Sequence, residues 1–242
     1  MKASSGFPSS SFPEPARVRA MFGDIAGRYD LMNTVMTAGM HHRWRRLGVE
    51  AAALKAGGSA LDVCSGTGDF AFALARAAGP LGSVTAVDFS RRMLAEARRK
   101  AGRAGLKVDF RWGDATSLEF DDGSFDSCTV GFGVRNIPDL HAVFSEMRRV
   151  VRPGGRVVCL EITRPTRTPF SQFYGVWFDR VVPAIGRMVS RNDAAYGYLP
   201  ASVRRFPPAD ALAAVMKDAG IADVTYKLLA GSIIALHWGS VR

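Results

Sequence analysis

Three aspartates stand at or near the ends of short apolar runs: Asp62 in ALDVCSGTGDF, Asp88 in SVTAVDF and Asp114 in KVDFRWGDA. The first sits beside a glycine turn. Gly66 and Gly68 carry no Cβ, so the backbone can turn tightly directly after the apolar run that contains Leu61 and Val63. Phe70 to Ala78 is alanine-rich and periodic, which predicts a helix beginning as the turn ends. A helix N-terminus offers free N–H groups and the positive end of its dipole to a ligand's polar atoms. A carboxylate, a glycine turn and a helix start together outline a nucleotide-type cofactor site.

The glycine spacing alone leaves the cofactor open. Gly66-x-Gly68-x-x-Ala71, with Asp88 about twenty residues on, also satisfies the dinucleotide fingerprint. An acid at Asp88 can hold the ribose hydroxyls of NAD or of S-adenosylmethionine. The other acids tilt the choice. Asp62 and Asp69 would repel a pyrophosphate, which S-adenosylmethionine lacks, and Asp114 is placed to meet an adenine edge. Acids at successive strand ends suit a cationic sulfonium better than a polyanion.

The elements that must position these residues alternate. Strands are predicted at Ala60–Cys64, Val84–Asp88, Val108–Trp112, Ser127–Gly131 and Arg156–Ile162, with helices at Phe70–Ala78, Arg91–Gly102 and Leu140–Val151. Arg152-Pro-Gly-Gly reads as the stop after the last of these helices. Such alternation predicts an α/β fold, doubly wound on a mostly parallel sheet. Arg17–Phe22 and Leu31–Leu47 read as N-terminal helices within about 16–50, separated by a turn from Gly23 to Asp30. A helix at Ala209–Ala219 and a hairpin of Asp223–Leu229 with Ile233–Trp238 close the chain. The alternation breaks near 165–205, which reads as a substrate-cap insertion in a single domain spanning 16–242.

The chain has 242 residues, 48% of them hydrophobic, enough for one domain with a full core. No apolar run is long enough to span a bilayer. The Ser/Pro-rich first fifteen residues read as a disordered leader without a secretory core segment. Cys64, Cys128 and Cys159 are odd in number and widely spaced, which predicts buried thiols, no metal site and a cytoplasmic location. The net charge of +10 is densest from Arg91 to Lys107. A solvated helix face explains that run; nucleic acid and an anionic membrane surface are the sharper alternatives. Nucleic acid is disfavoured, because the aromatics do not interleave with the basic helix as a stacking platform would.

Beyond the cofactor loop, YDLMNTVMTAGMHHRW (Tyr29–Trp44), GFGVRNIPD (Gly131–Asp139) and RVVRPGGRVVCLEI (Arg149–Ile162) resemble blocks of the menaquinone/ubiquinone C-methyltransferases. AYGYLPASVRRFP and GSIIALHWG resemble the menaquinone-pathway members, and the resemblance runs from about Met21 to Gly239. It implies the seven-stranded class I methyltransferase sheet, S-adenosylmethionine as methyl donor, and C-methylation of a polyprenylated quinol. Demethylmenaquinol is the expected acceptor; a ubiquinone-pathway benzoquinol or another phenolic or polyketide ring are the alternatives. The family's cofactor contacts fall on Thr67, Asp88 and the Asp114-Ala115 pair, beside Asp62, Gly66 and Gly68. Some members carry serine where this chain has Gly131, so that hydroxyl is absent here.

Arg135 and Asn136 follow the fourth strand at the carboxyl edge, where ligands of such sheets bind, and with Tyr29 they are expected to bound the quinol head. Arg135 is too weak an acid to act as a base and is expected to stabilise a phenolate or position a water. Tyr29 could equally be a packed aromatic, Asp30 a cap for a helix at Leu31 or a catalytic residue, and Asp62 only an orienter of loop amides. His41, His42 and Asn33 read as structural. Phe170, Phe173, Tyr174, Trp177, Phe178, Val181 and Val182 form a helical stripe, either core packing or a tunnel for a prenyl tail. Arg164, Arg167, Arg180 and Arg187 beside it would favour peripheral contact with an anionic membrane. A homodimer is compatible with the sequence and is not specified by it.

Overall fold

The computed structural model describes residues 15–164 and 193–242. Seven strands, β1 (Ser59–Val63), β2 (Ser83–Asp88), β3 (Asp109–Trp112), β4 (Phe125–Gly131), β5 (Val151–Ile162), β6 (Ala222–Leu229) and β7 (Ile234–Ser240), make one sheet. Their order is β3-β2-β1-β4-β5-β7-β6. The first five pair in parallel, and β7 runs antiparallel to both β5 and β6. Helices α4 (Asp69–Ala78), α5 (Arg91–Ala104) and α6 (Leu140–Arg149) make crossovers between parallel strands. The predicted α/β doubly wound architecture is therefore the one observed.

Strand alternation divides the core between two faces. Leu61 and Val63 pack with Val143, Phe144 and Met147 of α6 and with Leu212 and Met216 of α8 (Ala209–Asp218). Ala60 faces the other way, toward Phe70 and Leu74 of α4, Leu94 of α5 and Trp44 of α3 (Met40–Ala52). Side chains such as Phe144 and Met147 are fully buried, each stabilising the fold by roughly 1.5–3 kcal/mol. The hairpin β6–β7 turns at Ala230 and Gly231, both at positive φ.

Three local expectations are corrected. The single helix expected over Leu31–Leu47 is two, α2 (Tyr29–Thr37) and α3, because Ala38 and Gly39 adopt φ of 48° and 75°. The turn expected from Gly23 to Asp30 is helical: α1 (Pro15–Ile25) leads through one 3₁₀ turn at Ala26–Arg28 into α2. Phe22, Ile25, Tyr29 and Met32 pack together there at spacings of three and four, and this packing overrides the weak helix propensity of the glycines. Arg152-Pro-Gly-Gly lies inside the start of β5 rather than ahead of it, where the register with β4 shifts between Phe125 and Ser127 and Gly154 has φ of 83°. The aromatic stripe from Phe170 to Val182, and Arg167, Arg180 and Arg187, lie outside the described residues, as do residues 1–14 of the leader, whose last residue, Pro15, begins α1. Of the expected insertion, 193–205 is helix α7 (Asp193–Arg205).

Strand order reverses between β1 and β4. In doubly wound sheets that is where the crossovers part and leave a crevice at the carboxyl ends. Here Asp62 and Gly131 come to the lip of the same crevice.

Candidate active site

The loop after β1 is built from left-handed residues: Cys64, Gly66 and Gly68 have φ of 53°, 55° and 89°. It is tied to β2 at two points. Ser65 N–H donates to the Val87 carbonyl at 3.0 Å, and Gly66 N–H donates to Asp88 Oδ2 at 2.8 Å. Asp88 Oδ1 accepts from Ser90 N–H at 2.8 Å. Beyond the loop opens a chamber of about 420 Å³ walled by Asp62, Ser65, Gly66, Thr67, Asp88, Asp114 and Ala115, among others. The structure thus gathers most of the residues expected to hold a cofactor. Gly68 lies just behind this wall, where an added Cβ would meet the Phe72 ring at 2.8 Å.

The chamber's polar groups are suited to a cationic, hydroxyl-bearing ligand. Asp62 Oδ1 accepts from Thr129 Oγ1 at 2.8 Å, but Oδ2 is buried without a partner among the described residues. Ser65 Oγ is likewise buried and unpaired. Burial pushes the Asp62 carboxyl up to about 7 and the Asp88 carboxyl up to about 6. Such carboxyls gain from a cation or donor that replaces lost water. An ammonium at Asp62 and ribose hydroxyls at Asp88 fit these needs, and both belong to S-adenosylmethionine. Asp114 Oδ1 accepts from Thr116 N–H and Oγ1 at 2.8 and 2.7 Å, which holds the carboxylate at the chamber's far end. There Trp112 is exposed, stacked under the Arg91 guanidinium at 4.9 Å.

A second chamber of about 370 Å³ adjoins the first and is mostly apolar. Met32, Met36, Trp44, Ile162, Ile233 and Ile234 line it. Phe22, Tyr29, Arg45 and Phe132 belong to both chambers, so Tyr29 stands at their junction. Arg135 reaches the apolar chamber and Asn136 the polar one. Tyr198 on α7 joins these two walls: its hydroxyl donates to Asn136 Oδ1 at 2.9 Å. Burial raises the Tyr198 phenol above its ordinary value, which keeps it protonated and a donor.

The partner that Arg135 requires is Glu161, at 2.8 Å from Nη1. Both are buried, and Glu161 Oε1 also accepts from Ile162 N–H at 2.9 Å. Arg135 Nη1 donates as well to the Phe132 carbonyl, while Nε is buried without a partner among the described residues. Asp30 stands in the first turn of α2 and lines neither chamber. It accepts from Thr67 Oγ1 at 2.6 Å and pairs with Lys100. His41 is buried in the wall of the apolar chamber, beside Arg45 and 3.2 Å from Thr34 Oγ1, with burial and Arg45 pushing its pKa down to about 4. His41, His42 and Asp69 lie close enough to share a cation, but the Arg45 guanidinium already stands between His41 and Asp69. Asn33 lines the apolar chamber.

Glu161, Lys100 and Tyr198 escaped the reading of the sequence. Glu161 had a signal, a lone acid in the otherwise apolar VVCLEI. Lys100 was hidden by the arginines around it.

Sheet order, glycine turn and acid-lined chamber define a class I S-adenosylmethionine-dependent methyltransferase. A solved S-adenosylmethionine-dependent methyltransferase from Aquifex aeolicus shares the fold, with a TM-score of 0.58 and 18% identity over 78% of this chain and 85% of that one. The chain belongs to the ubiE/COQ5 methyltransferase family, whose model matches residues 12–241. It is 46% identical over 219 residues, 90% of this chain and 99% of the relative, to a protein of Thermus thermophilus named demethylmenaquinone methyltransferase. It is 44% identical over 225 residues, 92% of this chain and 89% of the relative, to a Desulfotalea psychrophila protein named ubiquinone/menaquinone biosynthesis C-methyltransferase.

Proposed function

We propose that this chain methylates a ring carbon of a polyprenylated quinol, converting demethylmenaquinol to menaquinol. The observation that carries the reading is the joining of an acid-lined donor chamber to an apolar one through Tyr29 and Phe132. A quinol head placed there meets the donor, and its apolar tail has a chamber lined by Met32, Met36, Trp44 and Ile233.

S-adenosylmethionine supplies an electrophilic methyl group on sulfur. The chain's residues make the ring carbon a nucleophile and hold it in line. A quinol hydroxyl gives up its proton, charge flows into the ring, the carbon–carbon bond forms as the carbon–sulfur bond breaks, and the ring carbon then loses its proton while the phenolate oxygen regains one. The net products are the methylated quinol, S-adenosylhomocysteine and one proton. Arg135, fixed by Glu161, offers its guanidinium to the developing phenolate. Asn136 and Tyr198 fix the hydroxyl's direction, and Tyr29 closes the passage between chambers. Phe22 and Phe132 exclude water. Asp62 holds the donor's ammonium, and Asp88 its ribose.

The tail brings the enzyme to a bilayer in this reading. Leu31, Val35 and Met40 are exposed on α2 and α3, and Val35 and Met40 line the apolar chamber. Arg43 and Arg46 are exposed on the same stretch. This favours peripheral contact with the anionic inner face of the membrane from the cytoplasm. No helix of the described residues is long and apolar enough to cross a membrane.

Purified protein with radiolabelled S-adenosylmethionine, offered demethylmenaquinol beside a benzoquinol precursor, tests the assignment. Transfer to the naphthoquinol is expected to dominate. Preference for the benzoquinol would move the chain to the ubiquinone pathway, and transfer to neither would sink the quinol reading.

A further inference from the structure

The N-terminal helices lie over the donor chamber, with Val18, Phe22 and Tyr29 in its wall. Their polar tie to the glycine loop centres on Asp30, which Thr67 reaches directly and Lys100 pairs with. Lys100, on α5, directs Nζ between two carboxylates from different elements: Asp30 of α2 and, at 2.6 Å, Asp69 at the start of α4. Thr67 Oγ1 is 3.4 Å from the same ammonium and donates to Asp30 Oδ1 at 2.6 Å. Asp69 also faces Arg45 of α3 at 3.5 Å. Lys100 is therefore shared between the lid and the loop, with only 20% of its side chain exposed.

We propose that Lys100 and Asp30 are positioning residues that latch the α1–α2 lid to the cofactor loop. Asp30 adjoins Tyr29, so the latch sets where the wall between the two chambers stands. Lys100 touches neither chamber; it acts through Asp30 and Thr67. The geometry also links donor to acceptor. Thr67 belongs to the loop that walls the donor site, and its hydroxyl is bonded to the residue beside the acceptor-side tyrosine. Release of the latch lifts Tyr29 from the junction while leaving β1, β2 and their acids in place. A simple structural ion pair would instead lower stability and leave the acceptor parameters alone.

The kinetic half of the test rests on the quinol reading. Lys100→Met, Asp30→Asn and their combination are compared with the parent for quinol kcat and KM, and for S-adenosylhomocysteine affinity by calorimetry. Each single change is expected to lower kcat/KM for the quinol about tenfold, and the double change no further than either single one. Lys100→Arg, which restores the cation, is expected to keep more than about a third of the parent value. Additive losses, or a kcat/KM unchanged in both single variants, would overturn the latch. A second measurement needs no acceptor. Amide exchange in residues 15–37 is expected to quicken about tenfold in Lys100→Met while β1 and β2 keep their protection. Unchanged exchange in that stretch sinks the latch even if quinol is not the substrate. Parent protein that methylates no quinol while exchange quickens in the variant sinks the acceptor and keeps the latch.

Discussion

Arg135 and Glu161 form a buried ion pair at 2.8 Å, tying the turn after β4 to the end of β5. The pair leaves the guanidinium charged at the wall of an apolar chamber. Burial alone would depress its pKa, but the nearby Glu161, Tyr29 and Tyr198 raise it. Removing one partner strands the other without water. Arg135→Ala and Glu161→Ala are each expected to lose roughly 3–5 kcal/mol of stability, with a double variant losing much less than their sum. Urea denaturation of the three variants checks this; additive losses would show that the pair is not coupled.

Asp62 sets a pH dependence with a definite sign. Its carboxyl is raised to about 7 in the folded chain from 3.8. Stability from that shift is fully present below the unfolded value and is lost as pH rises through about 7. This loss opposes the buried His41, whose pKa of about 4 adds stability as pH rises from about 4 to 6.5, so Asp62→Asn should make the protein without ligand gain more stability between about pH 4 and 7 than the parent does. A bound ammonium reverses the preference and favours the carboxylate. S-adenosylhomocysteine affinity should rise over the same interval, with proton release near pH 6 measured by calorimetry in buffers of different ionisation enthalpy. Proton uptake, or none, would contradict an ammonium at Asp62.

The donor half of the site was legible because its residues are consecutive or end predicted strands. Asp62, Gly66, Thr67, Asp88 and Asp114 need only strand–turn–helix units to converge, and periodicity reveals those units. Thr67 shows the limit of that reading: it lines the chamber, but its hydroxyl belongs to Asp30 from 37 residues earlier. Lys100, Glu161 and Tyr198 acquire their roles only when distant elements pack. No local pattern distinguishes Lys100 from its exposed neighbours on α5. The N-terminal break at Ala38–Gly39 was hidden for a similar reason, since alanine at positive φ is held there by context rather than propensity.

Tyr198→Phe isolates one hydroxyl. The ring stays, and Asn136 Oδ1 loses the donor at 2.9 Å. A single hydrogen bond of this kind is worth about 0.5–1.5 kcal/mol. Quinol kcat/KM should fall by roughly two- to tenfold, with S-adenosylhomocysteine affinity little changed. An equal loss in both would place Tyr198 in general packing instead of acceptor orientation.

Gly131 is where some family members are expected to carry serine, and here a side chain has little room. A Cβ built at Gly131 would lie 2.8 Å from Phe70 Cδ1, and one built at Gly48 would lie 2.5 Å from Cζ of the same ring. Phe70 is buried and lines the donor chamber. Its ring is thus wedged between α3 and the end of β4, with space taken from both glycines. Restoring the hydroxyl by Gly131→Ser must move the ring, and overpacking of this kind costs about 1–3 kcal/mol. Phe70→Leu should relieve it, because the shorter side chain vacates the space that Cβ needs. The single serine variant is expected to lose stability and S-adenosylhomocysteine affinity together, and the Gly131→Ser/Phe70→Leu variant to regain part of both relative to it. Thermal unfolding and calorimetry on the set decide the point: a single serine variant as stable as the parent would mean that the ring yields without cost.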